Sequence, residues 1–370
     1  MPHVKKEMIS FFLTTKCNLR CIYCYNCQKR KSHPIQTLDF DFAKAGIDYF
    51  FSNFKSRHIR FYGPGEPTQA FSLMTDIRDY AYLKAGKELS LEIQTNGAFS
   101  SKVRDWLSEN ANIVWVSFDG PPDIQNFNRP FPNGKPSAPV IEKNVKYLTS
   151  HLKNAGTVGV RVTITDNNMH RQLEMIDYFA SLGVRHIWCD PLFQEVMDQP
   201  VCMAPKRQEN FHFDMDGFIR TYVEAYKYAK SIGMFWGTNL IYNFDGCSQY
   251  NCRACIPVPH LTPDGYVSAC DMVTFGGNPN HMEPLVYGKW DAENQVIHFY
   301  DDKIKLLQSR TASNMPACKN CEVSTKCAGY CLGETLNQTG SLFGCNPIVC
   351  HAVKSLYKEI GDIEYEYLHP

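Results

Sequence analysis

Along the first two-thirds of the chain, short runs of apolar and β-branched residues alternate with longer segments in which apolar residues recur every three to four positions. The runs MISFFLTT (8–15), HIRFYGPG (58–65), LSLEIQTNG (89–97), NIVWVSFDG (112–120), GVRVTIT (159–165) and VRHIWCDPL (184–192) read as strands. Gly, Pro, Asn or Asp punctuates most of their ends. Between them, 40–54, 72–86, 100–110, 140–156 and 170–183 read as helices, and a further helix is expected at about 216–233. In 170–183, Leu173, Ile176, Phe179, Ala180 and Leu182 mostly follow a 3.6-residue period, and Gly183 suits the stop. Repeated β/α units predict an α/β protein with a parallel sheet or partial barrel, its chemistry at the carboxyl ends of the strands. From about Trp236 the texture changes: Cys, Gly, Pro and Asn become frequent and periodicity fades. A domain boundary is expected there, separating 1–236 from 237–370. The stretches 120–139 and 193–213 read as long loops of the kind that form lids or binding surfaces.

Composition narrows this picture. A length of 370 residues favours two domains over one, although a single α/β barrel could hold them. Lys plus Arg equals Asp plus Glu at 38 each, so no long-range field draws nucleic acid or an anionic membrane to the chain. The N-terminal apolar run is too short for a signal peptide and no 18-residue apolar stretch occurs, so a cytoplasmic protein is expected. Sixteen cysteines in a reducing compartment point to metal ligands rather than disulfides, and a chain this long needs no covalent staples.

The first cysteines directly follow the first expected strand: Cys17, Cys21 and Cys24 read C-x3-C-x2-C, with Cys27 two residues further on. Three thiolates leave tetrahedral zinc one ligand short. In a [4Fe–4S] cluster they leave one iron open. A zinc knuckle completed by Cys27 or His33 is the alternative. The spacing, with YGPGEPT (62–68), QTNG (94–97) and VSFDGP (116–121) at strand ends, resembles the radical S-adenosylmethionine (SAM) superfamily. That resemblance implies a partial (β/α)6 TIM-like barrel. It also implies that the open iron chelates SAM, whose reductive cleavage gives a 5′-deoxyadenosyl radical that abstracts hydrogen from substrate. Tyr23 fits the aromatic usual before the last cysteine. Gly65 and Glu66 would receive the amino group of SAM, although Pro64 stands where the first of two glycines is usual. Ser117 would contact the ribose or carboxylate. Arg129 matches a carboxylate-binding arginine of the sulfatase-maturase branch, and its planar fork suits that partner. Leu192 would touch the adenine.

The C-terminal third resembles the SPASM domain, a scaffold for two auxiliary [4Fe–4S] clusters. Cys255-x9-Gly265-x4-Cys270 is followed by Cys318-x2-Cys321-x5-Cys327-x3-Cys331 and a last cysteine. A zinc ribbon uses similar pairs but only four ligands per ion. The resemblance assigns Cys252, Cys255, Cys270 and Cys331 to the first auxiliary cluster, with Cys252 preferred over Cys247. It assigns Cys318, Cys321, Cys327 and Cys350 to the second. Cys350 is preferred over Cys345 because an amphipathic helix starts at it. Cys27, Cys189, Cys202, Cys345 and the unused one of Cys247 and Cys252 are left over, most of them read as packing residues, with a substrate-site role open for Cys202. Asp271 would take a proton from substrate, as an acid after this cysteine does in anaerobic sulfatase-maturating enzymes. Three [4Fe–4S] clusters and SAM are therefore the expected cofactors. A peptide or protein is the expected substrate and a flavodoxin or ferredoxin the expected electron donor. A separate leader-peptide-binding protein remains possible, because the chain starts only a few residues before its first strand. Nucleic acid and membrane are not expected. Oxidation of Ser or Cys to formylglycine or modification of a ribosomally made peptide are the leading activities. The alternatives are dehydrogenation of a small alcohol and, in another class, a non-catalytic iron–sulfur or zinc scaffold.

Overall fold

A computed structural model describes residues 7–24, 26, 34–153, 156–192, 213–277 and 279–364. Cys27, His33, Cys202 and nearly all of the expected 193–213 loop lie outside them. In chain order the strands are β1 (Ile9–Phe12), β2 (His58–Tyr62), β3 (Ser90–Thr95), β4 (Ile113–Ser117), β5 (Thr157–Ile164), β6 (His186–Pro191), β7 (Phe235–Gly237), β8 (His260–Leu261), β9 (Tyr266–Ser268), β10 (Val286–Asp291) and β11 (Val296–Phe299). The helices are α1 (Phe40–Asn53), α2 (Phe71–Ala85), α3 (Ser101–Asn110), α4 (Pro122–Asn128), α5 (Ala138–His151), α6 (Gln172–Ser181), α7 (Met215–Ser231), α8 (Asp301–Ser309), α9 (Leu332–Thr339) and α10 (Pro347–Ile360). The chain divides into two compact units: Met1–Cys17, His33–Gln94 and Ser248–Cys345; and Asn18–Ser32, Thr95–Cys247 and Asn346–Pro370.

In the first unit the strand order is β11-β10-β9-β8-β1-β2-β3. β8, β1, β2 and β3 run parallel and β8 to β11 antiparallel. Helix α1 begins where Asp39 accepts a hydrogen bond from the Phe42 amide, which satisfies an orphan donor of the first turn. It buries Phe42, Ala43, Ile47 and Phe50. Gly46 lets it lie close on β8, because a Cβ there would sit 2.5 Å from Leu261 Cδ1.

In the second unit β4, β5, β6 and β7 are all parallel. Alternate residues face opposite sides of a strand. Val114, Val116, Val160, Val162, Ile187 and Cys189 are buried on one face, whereas Trp115, Ser117, Arg161, Thr163 and Asp190 are partly open on the other. Phe118, just past β4, stacks edge-on against Phe179 of α6, so the buried face is the one the helices cover. Cys189 is fully buried there, which agrees with a packing role.

The expected strands and helices agree with the observed ones to within a few residues, and Gly183 does end its helix at φ +80°. Three details differ. Leu173 is 37% exposed, because Gln172, Met175, Ile176 and Phe179 form the buried face of α6. The 120–139 stretch is not all loop: Pro122 occupies the first turn of α4, where its missing N–H costs nothing. Among the described residues the C-terminal third holds four strands, two to six residues long, where the sequence shows little periodicity.

Candidate functional site

The loop bearing Cys21 and Cys24 is fastened to the segment after α4. Arg20 N donates to Pro130 O (2.8 Å) and Ile22 N to Asn128 O (2.9 Å). Beneath it, fully buried Asp119 gathers donors from four directions. The Tyr23 hydroxyl and Asn128 Nδ2 (3.0 Å) bond its Oδ2, and Thr163 N bonds its Oδ1 at 3.1 Å. Arg129 Nε lies 3.1 Å from Oδ2, and its Nη1 is 4.0 Å from Cys21 Sγ. A buried carboxylate with this many donors is compensated. Burial, then the Asp119 charge and hydrogen bond, push the Tyr23 hydroxyl well above its ordinary pKa against the opposing pull of Arg129. Tyr23 and Arg129, expected as SAM contacts, are thus also two arms of the brace that fixes the cysteine loop. Ser117 is half-buried at the end of β4, and Leu192 is 7% exposed just past β6.

In the first unit, the Gly65–Glu66 turn lies against the chain just before Cys17. Gly65 N donates to Thr14 O (3.1 Å) and Glu66 N to Lys16 O (2.8 Å). Glu66 is 2% exposed, and its Oε1 accepts from Thr68 N and Oγ1 at 3.1 and 2.8 Å. Pro64 does not prevent this seating.

Strand register aligns His260, Ser10, Arg60 and Glu92 in one row across β8, β1, β2 and β3, so all four share a face. All four are buried. Arg60 Nε donates to Ser10 Oγ (2.9 Å) and its Nη2 bonds Asp271. His260 Nε2 faces Asp271 Oδ1 at 3.3 Å, and Arg253 Nη2 is 4.0 Å from Oδ2. Burial opposes ionisation of Asp271, but Arg60, His260 and Arg253 outweigh it and hold the carboxyl well below the usual range. Its side chain stays one-third exposed. Burial pushes His260 down to about 3, and its Nδ1 donates to Ser268 O at 3.1 Å, leaving the ring neutral near pH 7.

The later cysteines fall into two groups. Cys252 and Cys255 are hydrogen-bonded, and Cys252 and Cys270 both act electrostatically on Cys331. The Cys252 hydrogen bond and then burial push Cys255, and burial followed by the Cys270 and Cys252 charges pushes Cys331, well above the ordinary thiol value. Cys318, Cys321 and Cys327 form the second group, and Cys345 joins it by acting on Cys318. Cys350 sits half-buried on α10, in the other unit, and Cys247 is exposed. Among the described residues no three His, Cys, Asp or Glu side chains converge as on a single metal ion. Ligands of a cubane bind separate irons and need not converge that way. The thiols at Cys21 and Cys24 and in both later groups are the soft donor type that an iron–sulfur cluster takes. Asp119, Asn128, Arg60, Glu92 and His260 are site residues that motif spacing did not single out; only the strand register and long-range contacts bring them in.

Residues 11–186 match the model of the radical SAM superfamily, and the chain carries a radical SAM domain over that stretch. A domain of this kind implies SAM and a [4Fe–4S] cluster as cofactors. An uncharacterised protein of Methanocaldococcus jannaschii is 33% identical over 182 residues, 49% of this chain and 60% of that relative, so less than two-thirds of it is spanned. A serine-type anaerobic sulfatase-maturating enzyme of Klebsiella aerogenes is 23% identical over 350 residues, 88% of this chain and 79% of the relative. The solved structure of native anSMEcpe with bound AdoMet and Cp18Cys peptide superposes with a TM-score of 0.71 at 17% identity. It covers 96% of this chain and 97% of that one, which shows a shared α/β fold. Among the described residues no helix is long and apolar enough to cross a membrane.

Proposed function

We propose that this chain oxidatively modifies a side chain of a peptide or protein, in the manner of a sulfatase maturase, with 1–236 as the radical SAM core and 237–370 as a SPASM domain. The observation that carries the reading is the environment of Asp271. Directly after Cys270, Arg60 and Arg253 hold an ionised carboxylate in place while a third of it stays open. Oxidising a C–OH or C–SH group to the carbonyl level requires loss of the O–H or S–H proton; Asp271 is ionised and open to accept one, with a basicity that its arginine partners reduce. Arg60 orients it, and the buried row behind it keeps water from that side. Cys17, Cys21 and Cys24 would hold the SAM-binding cluster, and Gly65, Glu66, Ser117, Arg129 and Leu192 would line the SAM site. Cys252, Cys255, Cys270 and Cys331 would hold one auxiliary cluster. Cys318, Cys321 and Cys327 would hold the other, with Cys345 or Cys350 as fourth ligand, and the neighbourhood of Cys318 favours Cys345. When bound, the first cluster and SAM supply a hydrogen-abstracting carbon radical. A flavodoxin or ferredoxin would be the donor of electrons.

Anaerobically reconstituted protein is expected to carry roughly twelve irons, as three cubanes. It should cleave SAM under reduction and shift the mass of a Cys- or Ser-containing peptide. Replacing Cys17, Cys21 and Cys24 together by Ala should leave about eight irons and abolish SAM cleavage. Cleavage retained in that variant refutes the assignment. SAM cleavage without any peptide mass shift turns the reading toward the small-alcohol dehydrogenase.

A further inference from the structure

Arg310, the residue after α8, has no exposed surface. Its guanidinium is spent on main-chain oxygens: Nε donates to Leu342 O (2.9 Å), Nη1 to Tyr330 O (3.1 Å) and Nη2 to Gly329 O. No described carboxylate forms an ion pair with it. The backbone is bent to receive it, because Ala328, Gly329 and Tyr330 are successively left-handed at φ 48°, 76° and 56°. For Ala and Tyr that conformation is costly and persists only where the surroundings impose it. These three residues are the whole link between Cys327 of one cysteine group and Cys331 of the other. Leu342 lies three residues before Cys345. The groups on which Arg310 acts electrostatically are again one from each set. It hydrogen-bonds and attracts Cys255, opposing the larger effects of Cys252 and burial there, and it attracts Cys318.

A buried charge is expensive unless another charge answers it, and carbonyl dipoles answer it only in part. Every other buried cation of the described sites has a carboxylate: Arg60 has Asp271 and Arg129 has Asp119. Here the anionic candidates are thiolates, and thiolate-bound iron–sulfur clusters are anions that become more negative on reduction. A fixed cation in the low-dielectric space beside them favours the reduced form.

We infer that Arg310 is the shared counter-cation of two cysteine-held clusters, tying their two ligand loops together and raising the reduction potential of both. The inference rests on the reading that the C-terminal cysteines hold two iron–sulfur clusters. Its test is built on the full chain with Cys17, Cys21 and Cys24 replaced by Ala, so that only the auxiliary signals remain. Iron and sulfide are counted and potentials followed by electron paramagnetic resonance for Arg310, Arg310→Lys and Arg310→Met. The expected result is about eight irons with Arg310. Both signals should move to lower potential in Arg310→Met and stay near the parent in Arg310→Lys, which keeps the charge but not the fork. Full assembly with Lys and failed assembly with Met would also support a charge requirement. Unchanged potentials in Arg310→Met, a shift of one signal alone, Lys behaving like Met in potential, or failure of both variants to assemble overturns the inference. Absence of auxiliary iron in the parent instead overturns the cluster reading beneath it.

Discussion

Replacing Gly65 by alanine puts a methyl carbon where two backbone carbonyls already stand. A Cβ at 65 would lie 2.2 Å from Lys16 O, 2.6 Å from Thr14 O and 2.6 Å from Thr15 C. None of these can rotate away as a side chain could. Gly65 is not among the left-handed glycines, so the demand is for space and not for conformation. Relief requires the turn to leave the 14–16 segment, which breaks the two amide bonds of 3.1 and 2.8 Å. Overpacking costs about 1–3 kcal/mol. Two lost hydrogen bonds add roughly 0.5–1.5 kcal/mol each. The variant should therefore lose about 2–6 kcal/mol, a large share of ordinary domain stability. Gly63→Ala, two residues earlier in the same turn, is the control. Its nearest neighbour would be Thr14 O at 3.5 Å, an ordinary contact, so it should stay near wild type. Urea unfolding of the unloaded chain measures both without involving SAM, and hydrogen exchange at the Gly65 and Glu66 amides reads the turn itself. If Gly65→Ala unfolds at the same urea concentration as Gly63→Ala and both amides stay protected, the claim that this turn is fixed by steric closeness is wrong.

Two further outcomes follow from the buried charges. Burial opposes ionisation of Glu92, but the His58 hydrogen bond at 3.0 Å and the Arg60 charge hold its carboxyl below the ordinary value. A depressed folded-state pKa adds stability that is present above the unfolded value near ~4.3 and disappears as pH falls through the folded one. Glu92→Gln should lose stability at pH 7 and show a shallower acid limb in urea midpoints measured from pH 7 to pH 3; parallel curves would exclude this contribution. Tyr23→Phe removes one donor from buried Asp119 and should cost about 1–3 kcal/mol. It should also speed iron loss from the first cysteine motif to an added chelator; wild-type iron retention would show that the Tyr23–Asp119 bond does not hold that loop.

The first six strands and the helices after them were legible because Gly, Pro, Asn or Asp punctuates apolar and β-branched runs that alternate with helical periods, and Gly183 marks an end by chemistry that sequence displays. What the sequence could not display was register. Asp119 stands inside the VSFDGP stretch, yet its partners Tyr23 and Thr163 lie 96 and 44 positions away. Ser10, Arg60, Glu92 and His260 share no motif; they meet because β8, β1, β2 and β3 lie side by side in one alignment. Cys252 is hydrogen-bonded to Cys255, whereas Cys247 is exposed, a difference that spacing does not display. The choice between Cys345 and Cys350 rested on a helix start. That helix exists, capped by Asn346, but a helix start does not say which group of thiols its first turn faces.

With 38 basic and 38 acidic residues the chain carries no net charge at pH 7 to draw a ligand from a distance, and the charges described around the cysteines are internal ones. Inside, charge is handled in two ways. Asp119 with Arg129, and Arg60 with Asp271, are pairs in which each ion has its opposite, and such pairs fix geometry while adding little net field beyond themselves. Arg310 belongs to no such pair. Three of its bonds end on carbonyls and a further one reaches the Cys255 thiol, and the left-handed turn that supplies two of the carbonyls is itself costly. A cation left open in this way projects its field outward, toward whatever anion the neighbouring thiols hold. The same reasoning explains why a neutral isostere at 310 should disturb both cysteine groups, whereas neutralising a member of such a pair should disturb only its own partners.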